Sequence, residues 1–410
     1  MKQTTNEKLS IYNGIASTIS TNTVNGFIPL FAIGVLGATN QQMGLITSLP
    51  SIIGMLALVP GAMWLNRVGS KRNFAALSTF ATRFLFMLIF FIPFLPIENP
   101  VWLLVILIAL VNFPGALSGL SWQSMIGDMI PEKRRGDFFS SRNRITTIVA
   151  MIMTFLTGFF IQQFDRENAF PYQILLAFGF IFAIIEVYFL FKHKEKRREK
   201  PAVVESNIKK PTLKVYKHKP YLYFICCALF FNFAAQMGWS IFSIYHVREA
   251  EATALWFSLF SVTNQIAQII SIKWWARHAD KYGNTMMLVI VSAGMATAPI
   301  LTVLSTNLVY ITAINFWIGL FVSGMNLLLF NQLLNASPEK DRTNYIANYN
   351  FLLSFIGFFA PQFGVFLLNQ FGMFSAMSIT SVVRFMAGIL FLVVAITFEK
   401  RSLKLLPKSI

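Results

Sequence analysis

Long apolar runs dominate this chain and alternate with short polar connections. A helix needs about 20 apolar residues to cross the hydrocarbon of a bilayer, and it satisfies its own backbone hydrogen bonds there. Strands of a membrane barrel are only about ten residues long and alternate strictly between polar and apolar. The runs are too long and too uniform for a barrel, so the pattern predicts an all-α membrane protein.

The number of runs predicts twelve transmembrane helices. Only 12% of the residues are charged, against about 25% in a soluble globular domain. The longest connection, residues 192–219, leaves no room for a soluble catalytic domain. The runs lie at about 10–36, 42–65, 74–95, 101–127, 143–164, 171–191, 220–246, 253–276, 285–305, 308–334, 344–369 and 374–398.

The basic residues indicate how the helices are oriented. Arg166 and Arg248 lie in connections on one face of the membrane, and Arg83 and Arg384 lie within runs. The rest of the 34 basic residues lie on the opposite face. Because cytoplasmic segments carry the excess of Lys and Arg, we expect a protein of the cytoplasmic membrane with both termini in the cytoplasm.

The connection at residues 192–219 is strongly basic and has little apolar content. We interpret it as a solvated linker between an N-terminal half, residues 1–191, and a C-terminal half, residues 220–410. Its charge also suits the anionic headgroups of membrane lipids. Nucleic acid is not expected as a partner of this apolar chain.

An internal repeat supports this division. Residues 65–70, after the second run, match residues 279–284, after the eighth. A Pro-Glu-Lys triplet with a following Arg precedes both the fifth and the eleventh run, and Asn-Phe occurs in both the fourth and the tenth. Three matches in the same order and at nearly constant offset predict that the two halves are parallel copies.

The repeated loops resemble those of the major facilitator superfamily, and the resemblance covers essentially the whole chain. Residues 66–72 resemble the family's loop between helices 2 and 3, Asp-Arg/Lys-x-Gly-x-Arg/Lys-Arg/Lys, with Asn66 in place of the Asp. Residues 280–283 resemble its second copy, although Asn and Thr follow where bases are usual. Residues 127–136 resemble the family's Asp-x-x-Pro-x-x-x-Arg-Gly segment between helices 4 and 5. The resemblance implies twelve helices in two six-helix halves.

The resemblance also implies that these loops are conformation-dependent latches, whereas a pure topology signal is the alternative. Gly69 and Gly283 are expected to turn the chain with positive φ, because glycine adopts it without steric cost. The first loop is expected to be the weaker latch, because Asn66 offers a dipole where Asp280 offers a charge. The gating-loop candidates are Asn66, Arg67, Gly69, Arg72, Asp128, Arg135, Asp280, Lys281, Gly283 and Arg342.

In the family's fold, helices 1, 2, 4, 5, 7, 8, 10 and 11 face a central cavity, and the polar residues agree with this arrangement. They form one-sided stripes on helices 7 and 8. Such stripes either line water or hold helices together, and Trp122 and Trp239 either stack on a ligand or pack. The substrate-cavity candidates are Asn22, Asn25, Asn112, Asn232, Gln236, Trp239, Asn264, Gln268 and Asn315.

Three charged residues lie clearly inside the runs: Arg83, Glu186 and Arg384. Helix geometry separates Arg83 and Glu186 by about 6 Å in depth, so we hypothesise an intramembrane ion pair. The alternatives are that Glu186 reaches the headgroups or that Arg83 binds substrate. Arg384 has no acidic partner in helix 9 and is expected to bond to amides or to contact an anionic ligand.

No carboxylate or histidine lies at mid-depth on the expected cavity helices, so the predicted cavity is neutral. The favoured function is secondary active or facilitative transport of a small neutral polar or amphipathic organic solute by alternating access. A proton-coupled efflux antiporter for multiple drugs or lipophilic compounds is the alternative, favoured by the 15% aromatic content. An alternative of another class is a membrane receptor or scaffold without transport. Coupling to a proton is unproven, and a monomer is expected.

The sequence offers no pattern for catalysis. It has no phosphate-binding Gly loop with Lys-Ser/Thr, and its four histidines have no helical metal spacing. Cys226 and Cys227 are adjacent within an apolar run, which fits neither a disulfide framework nor a metal site. We expect no enzyme activity, no cofactor and no bound metal.

The orientation predicts that Ser206 and Ser402 are cytoplasmic and that Asn168 is external. In a variant lacking Cys226 and Cys227, a single cysteine at each position is probed with an impermeant thiol reagent. In intact cells we expect labelling of Asn168→Cys alone, because the reagent cannot reach the basic face. Labelling of Ser206→Cys but not of Asn168→Cys would reverse the orientation.

Overall fold

The computed structural model describes residues 5–195 and 213–399, and within these ranges it contains helices and no strand. This confirms the all-α class. Most of the predicted linker at 192–219 lies outside the described residues, as do Ser206 and Ser402.

The N-terminal helices follow the predicted runs except at the first one. A break after Asn22 divides the run expected at 10–36, and short 3-10, α and π turns follow over residues 25–35. Pro29 lies among these turns and cannot donate a backbone hydrogen bond. The helices are α1 (Thr5–Asn22), α2 (Asn40–Arg67), α3 (Lys71–Met87, continued by a 3-10 segment Leu88–Phe94), α4 (Pro100–Met129), α5 (Glu132–Ile161) and α6 (Phe170–Lys192).

The C-terminal helices end with a sharply kinked pair. The helical segment Arg342–Val394 is interrupted at Gly372, whose φ of 78° and ψ of 173° suit glycine alone. We call residues 342–371 α11 and residues 373–394 α12. The preceding helices are α7 (Lys219–Arg248), α8 (Ala254–Tyr282), α9 (Asn284–Val303) and α10 (Leu308–Ala336).

The two loop glycines behave differently. Gly283 has a φ of 85° and stands immediately before α9, as predicted. The expectation for Gly69 is wrong, because its φ is not in the positive region. Instead, the residues on either side of Gly69, Val68 and Ser70, have extended backbone conformations in the connection between α2 and α3. The Ser70 side chain then caps α3 by accepting a hydrogen bond from the Asn73 amide.

Ten helical stretches among the described residues are long and apolar enough to cross a membrane. The last of them, Asn344–Thr397, includes both α11 and α12, whereas α1 is not among the ten. The chain is therefore a multi-pass membrane protein. Twelve as the number of crossings stays a prediction.

The chain divides into two compact units. The first comprises residues 1–208 and 252–259, and the second comprises residues 209–251 and 260–410. In the first unit α6 packs against α1 and α3, and α4 packs against α2 and α3. In the second unit α7 and α9 pack against the kinked segment of α11 and α12.

Glycine permits a very close helix crossing in the second unit. A Cβ at Gly364 of α11 would collide with the backbone carbonyl oxygen of Met237 in α7. Small residues at such positions let helix backbones approach, and packing then stabilises the pair. The crossing holds α7 and α11 close together.

We expect Gly364→Ala to lower the thermal midpoint of unfolding of the detergent-solubilised protein, because the carbonyl of Met237 cannot rotate away from the added methyl. Gly54→Ala in α2 is the control, since a Cβ there meets no heavy atom within 4 Å. Alanine is also the better helix former, so the control is expected to be neutral or stabilising. An unchanged midpoint in Gly364→Ala would contradict this account.

Candidate functional site

A polar cavity of about 310 Å³ lies inside the first unit, between α1, α3, α4, α5 and α6. Polar and ionisable groups are expensive inside a membrane span and commonly mark a functional site there. The cavity is therefore the main candidate site of this unit. Its lining consists of Asn13, Ser17, Thr79, Thr82, Arg83, Gly115, Ser118, Gly119, Trp122, Arg142, Glu186 and Leu190.

An ion pair between α3 and α6 forms one wall of the cavity. Arg83 Nε donates to Glu186 Oε2 at 2.9 Å, and Arg83 Nη2 donates to Glu186 Oε1 at 3.3 Å. The side chains are only 15% and 6% exposed. Charge-assisted bonds in this two-pronged geometry are stronger than neutral ones. The structure thus brings together the two residues that the sequence predicted to pair, and Glu186 points into the protein.

Residues of α1 hold this pair in place. Ser17 Oγ accepts a hydrogen bond from Arg83 Nη2 at 3.1 Å. Asn13 Nδ2 donates to the backbone carbonyl oxygen of Glu186 at 3.1 Å. Three helices therefore meet at one polar junction, which fixes the position of both charges.

A second guanidinium, that of Arg142, lies in the same cavity, and sequence reasoning missed it. Its Cζ is 4.4 Å from the centre of the Trp122 ring, a cation–π contact, and its Nε donates to the Ser10 carbonyl oxygen at 3.3 Å. The predicted fifth run began at residue 143, which left Arg142 in a loop. The helix begins at Glu132, as Pro131 and the acidic residue after it indicate.

The positions of Trp122 and Glu186 bear on two expectations from the sequence, one about ring stacking and one about which helices line the cavity. Trp122 packs its face against Arg142, which accounts for one face of its ring. Glu186 lines the cavity although α6 was expected only to support the cavity helices. The reason is that α6 packs against α1 and α3 of its own unit, so its inner face reaches the middle of the bundle.

An amide cluster joins α8 and α10 in the second unit. Asn264 Nδ2 donates to the backbone carbonyl oxygen of Asn315 at 3.0 Å, and Gln268 Nε2 donates to Asn264 Oδ1 at 2.7 Å. One turn further along α8, the hydroxyls of Ser271 and Ser323 bond at 2.6 Å. Three of the candidates are therefore brought together, in contacts that join two helices.

The substrate-cavity candidates on α7 differ in how exposed they are. Asn232 is buried and donates to the Ala228 carbonyl oxygen at 2.7 Å and to the Tyr349 hydroxyl at 3.2 Å. Gln236 is also buried, whereas Trp239 is 52% exposed. The predicted stripe therefore divides between a packed part and an exposed part.

The remaining amide candidates bond locally or are exposed. Asn22 Nδ2 donates to the Thr18 carbonyl oxygen at 2.9 Å, and Asn112 Nδ2 donates to the Ile108 carbonyl oxygen at 2.8 Å. Asn25 lies in the broken segment after α1 and is exposed. Asn22 and Asn112 each keep an amide oxygen for another partner.

Arg384 is fully enclosed in the second unit and bonds to the backbone. Its donors reach the carbonyl oxygens of Ala234 at 3.2 Å, Ala235 at 2.8 Å and Met295 at 3.0 Å. A Cβ at Gly238 would lie 2.6 Å from Arg384 Nη2, so glycine makes room for the guanidinium. Of the two expectations for Arg384, the structure shows bonding to amide groups, which ties α12 to α7 and α9.

The loop between α2 and α3 is tied to neighbouring helix ends. Lys71 Nζ pairs with Asp128 Oδ2 at 2.6 Å. Glu195, missed by sequence reasoning, accepts hydrogen bonds from the Lys71 amide at 3.0 Å and the Arg72 amide at 3.2 Å, so it caps α3. Arg72 Nη1 donates to the His193 carbonyl oxygen at 3.2 Å. Burial lowers the pKa of the His193 imidazole, which is therefore neutral at pH 7.

The other gating-loop candidates differ in their surroundings. Arg135 donates to the carbonyl oxygens of Gly127 at 2.6 Å and Ile130 at 3.1 Å, so it closes the connection between α4 and α5. Arg67, Asp280 and Lys281 are exposed, and Arg342 lies 4.0 Å from Glu339 one turn away. The Asn66 side chain is outside the described residues.

A family model matches residues 12–361, and that family is the Major Facilitator Superfamily. Because this match covers most of the chain, the chain belongs to the Major Facilitator Superfamily of membrane transporters, as the repeated loops implied. The curated proteins contain no match to this sequence.

Solved structures of transporters share this fold. A bacterial homologue of the human lysosomal transporter Spinster, inward-facing and unoccupied, has a TM-score of 0.73 at 12% identity, over 97% of this chain and 99% of that chain. The nucleoside transporter NupG has a TM-score of 0.71 at 12% identity, over 95% and 98% of the two chains. The xylose transporter XylE from E. coli has a TM-score of 0.67 at 15% identity, over 94% and 95%. At such identities the likeness concerns the fold alone.

The ion pair between Arg83 and Glu186 is expected to be coupled energetically. Removing one partner of a buried pair costs about 3–5 kcal/mol, whereas removing both is often nearly neutral. We therefore expect Arg83→Leu and Glu186→Leu each to lower the thermal midpoint in detergent, and the double variant to lose less than the sum. The control cycle combines Glu186→Leu with Arg67→Leu, an exposed residue whose effect should add. Additive losses in the first cycle would show that the pair does not stabilise the fold.

Proposed function

We propose that this protein is a secondary transporter of the cytoplasmic membrane that moves a small polar organic solute by alternating access. The family supports the transporter class, and the basic residues support cytoplasmic termini. In this proposal the two units expose a binding region to each side of the membrane in turn. The protein works as a monomer surrounded by membrane lipids.

The polar cavity in the first unit is the observation that carries this proposal. Its volume of about 310 Å³ lies at the lower end of the usual range for small-molecule pockets. Hydroxyls of Thr79 and Ser118 bond to each other at 2.6 Å across its wall and retain lone pairs for a further partner. A helix bundle needs no such cavity for stability, because unfilled space costs packing energy.

The side chains available to a solute are mainly amides, hydroxyls and aromatic rings. Asn264, Gln268 and Asn315 supply neutral polar groups in the second unit, in agreement with a neutral polar or amphipathic solute. The first unit differs because its cavity also contains charged side chains, those of Arg83, Arg142 and Glu186. Amides and hydroxyls in each unit support a solute that forms hydrogen bonds.

The contact between Lys71 and Asp128 supports a latch role for the first loop in this transporter. Their short ion pair joins the start of α3 to the end of α4, while the Asp128 side chain remains 54% exposed. An ion pair that is so open to solvent stabilises a fold only weakly. Its strength therefore suits a contact that breaks and re-forms as the protein changes conformation.

Proton-coupled transport, including efflux of lipophilic compounds, is the second candidate. The observation that favours it is Glu186, a buried carboxylate that lines the cavity and pairs with Arg83. Proton-driven transporters commonly use an intramembrane carboxylate that changes its protonation. Efflux and uptake differ in direction, which a flux measurement separates.

The decisive experiment measures flux in proteoliposomes for a panel of radiolabelled neutral, amphipathic and acidic solutes, with and without an imposed pH gradient. We expect saturable uptake of at least one solute. Gly119 lines the cavity, and a Cβ there meets no heavy atom within 4 Å. Gly119→Ala should therefore reduce the flux slightly, and Gly119→Leu should abolish it while the protein remains folded.

Three results separate the candidates. Acceleration by a pH gradient that requires Glu186 supports proton coupling. Binding of solutes without flux in the wild type identifies a receptor and contradicts the transporter proposal. Equal flux in the wild type and in Gly119→Leu excludes the cavity as the solute site.

A further inference from the structure

We propose that the cavity of the first unit binds the carboxylate of a small organic acid, and that Arg142 is the residue that receives it. This inference rests on the proposed transport function and narrows the class of solute. It follows from the balance of charge in the cavity, from the unused donors of Arg142 and from the size and lining of the space.

The described residues of the cavity carry an excess positive charge. Arg83 and Glu186 neutralise each other through two hydrogen bonds. Arg142 is the other charged residue of the lining, and none of the described acidic side chains forms an ion pair with it. The Arg142 side chain is half-buried, and a charge withdrawn from water without a counter-ion in contact is costly. A solute with one negative charge would complete the balance.

The guanidinium of Arg142 has donors to spare. Nε is its one atom with a hydrogen-bond partner among the described residues, the Ser10 carbonyl oxygen. The guanidinium lies over the face of the Trp122 ring, which offers its N–H groups no hydrogen-bond acceptor atom. The two Nη groups form the planar fork that binds carboxylates in two-pronged fashion.

Local structure makes room for this arrangement. A Cβ at Gly14 of α1 would lie 2.9 Å from Arg142 Nη2, closer than real Cβ atoms approach a neighbour. Glycine at this position therefore lets the guanidinium lie beside α1, within the cavity. The indole Nε1 of Trp122 is a further buried donor, and it has no hydrogen-bond partner among the described residues.

The charge balance favours a carboxylate over a phosphate. A phosphate monoester carries about −1.5 to −2 charges at pH 7. Arg142 offers one positive charge, so the rest of the phosphate charge would stay uncompensated, which is costly away from water. A monocarboxylate neutralises Arg142 and leaves no excess charge.

The rest of the cavity indicates the size and polarity of the part of the acid that lies beyond its carboxylate. The volume of about 310 Å³ limits the solute to a small molecule. Hydroxyls of Ser17, Thr79 and Ser118 and the amide of Asn13 suit a hydroxylated or otherwise polar body. Trp122 supplies one apolar surface in the same space.

Binding is tested with purified protein in lipid nanodiscs at constant ionic strength, by calorimetry and by the shift in thermal midpoint. The probes are acids with neutral counterparts of similar size: lactate with lactamide, benzoate with benzamide, and gluconate with glucose. Glucose 6-phosphate tests the phosphate alternative. We expect at least one carboxylate to bind about tenfold more tightly than its neutral counterpart, because a charge-assisted pair is gained.

Variants assign the binding to Arg142. Arg142→Gln should weaken binding of that carboxylate about tenfold or more, and Arg142→Lys should restore part of it, because the charge is kept without the planar fork. Arg144→Gln is the matched control, since Arg144 lies on the same helix, is exposed and does not line the cavity. It should bind like the wild type. Gly14→Ala, which displaces the guanidinium, should weaken binding without removing any charge.

Several outcomes would overturn the inference: no carboxylate binds, the neutral counterparts or glucose 6-phosphate bind as tightly, or Arg142→Gln and Arg144→Gln behave alike. The measurement is independent of flux, so it separates this inference from the proposed transport function. Carboxylate binding that depends on Arg142, without flux, would sustain the inference and reject the transporter. Flux of another solute in a protein that binds no carboxylate would do the reverse.

Discussion

Every polar group inside a membrane span must find its partner within the protein, because hydrocarbon offers none. This constraint explains most of the side-chain contacts described above. Asn22 and Asn112 bond to carbonyl oxygens one turn back on their own helices, and Arg384 bonds to three backbone carbonyls of neighbouring helices. Such contacts give each group a partner inside the protein. Those of Arg384 also hold α12 to α7 and α9 in the second unit.

The cavity of the first unit is where this rule is only partly met. Arg83 and Glu186 satisfy each other, while Arg142 rests on Trp122 and keeps N–H groups without partners among the described residues. Incomplete satisfaction inside an apolar bundle is costly. It is tolerated where a solute or water completes the set, and this is why the cavity rather than the amide cluster of the second unit carries the functional proposals.

The connections between helices follow a different logic, because water is available there. At the start of α3, Glu195 provides acceptors for backbone amides, and Lys71 pairs with Asp128. At the start of α9, Gly283 makes the turn through its positive φ. Two loops with similar sequences are therefore built by different means, one through side-chain contacts and one through backbone freedom.

The sequence by itself determined the all-α class and the family and predicted a repeated organisation, because apolar run length and repeated loop motifs are local properties of the chain. It also suggested the pairing of Arg83 with Glu186, since depth along a helix follows from residue number. Only the tertiary structure placed Arg142 against Trp122, turned Glu186 into the cavity and gave Arg384 its carbonyl partners. In the first unit those contacts depend on which faces of α1, α3, α4, α5 and α6 meet, and in the second unit on which faces of α7, α9 and α12 meet. Helix rotation is decided by packing between side chains far apart in sequence.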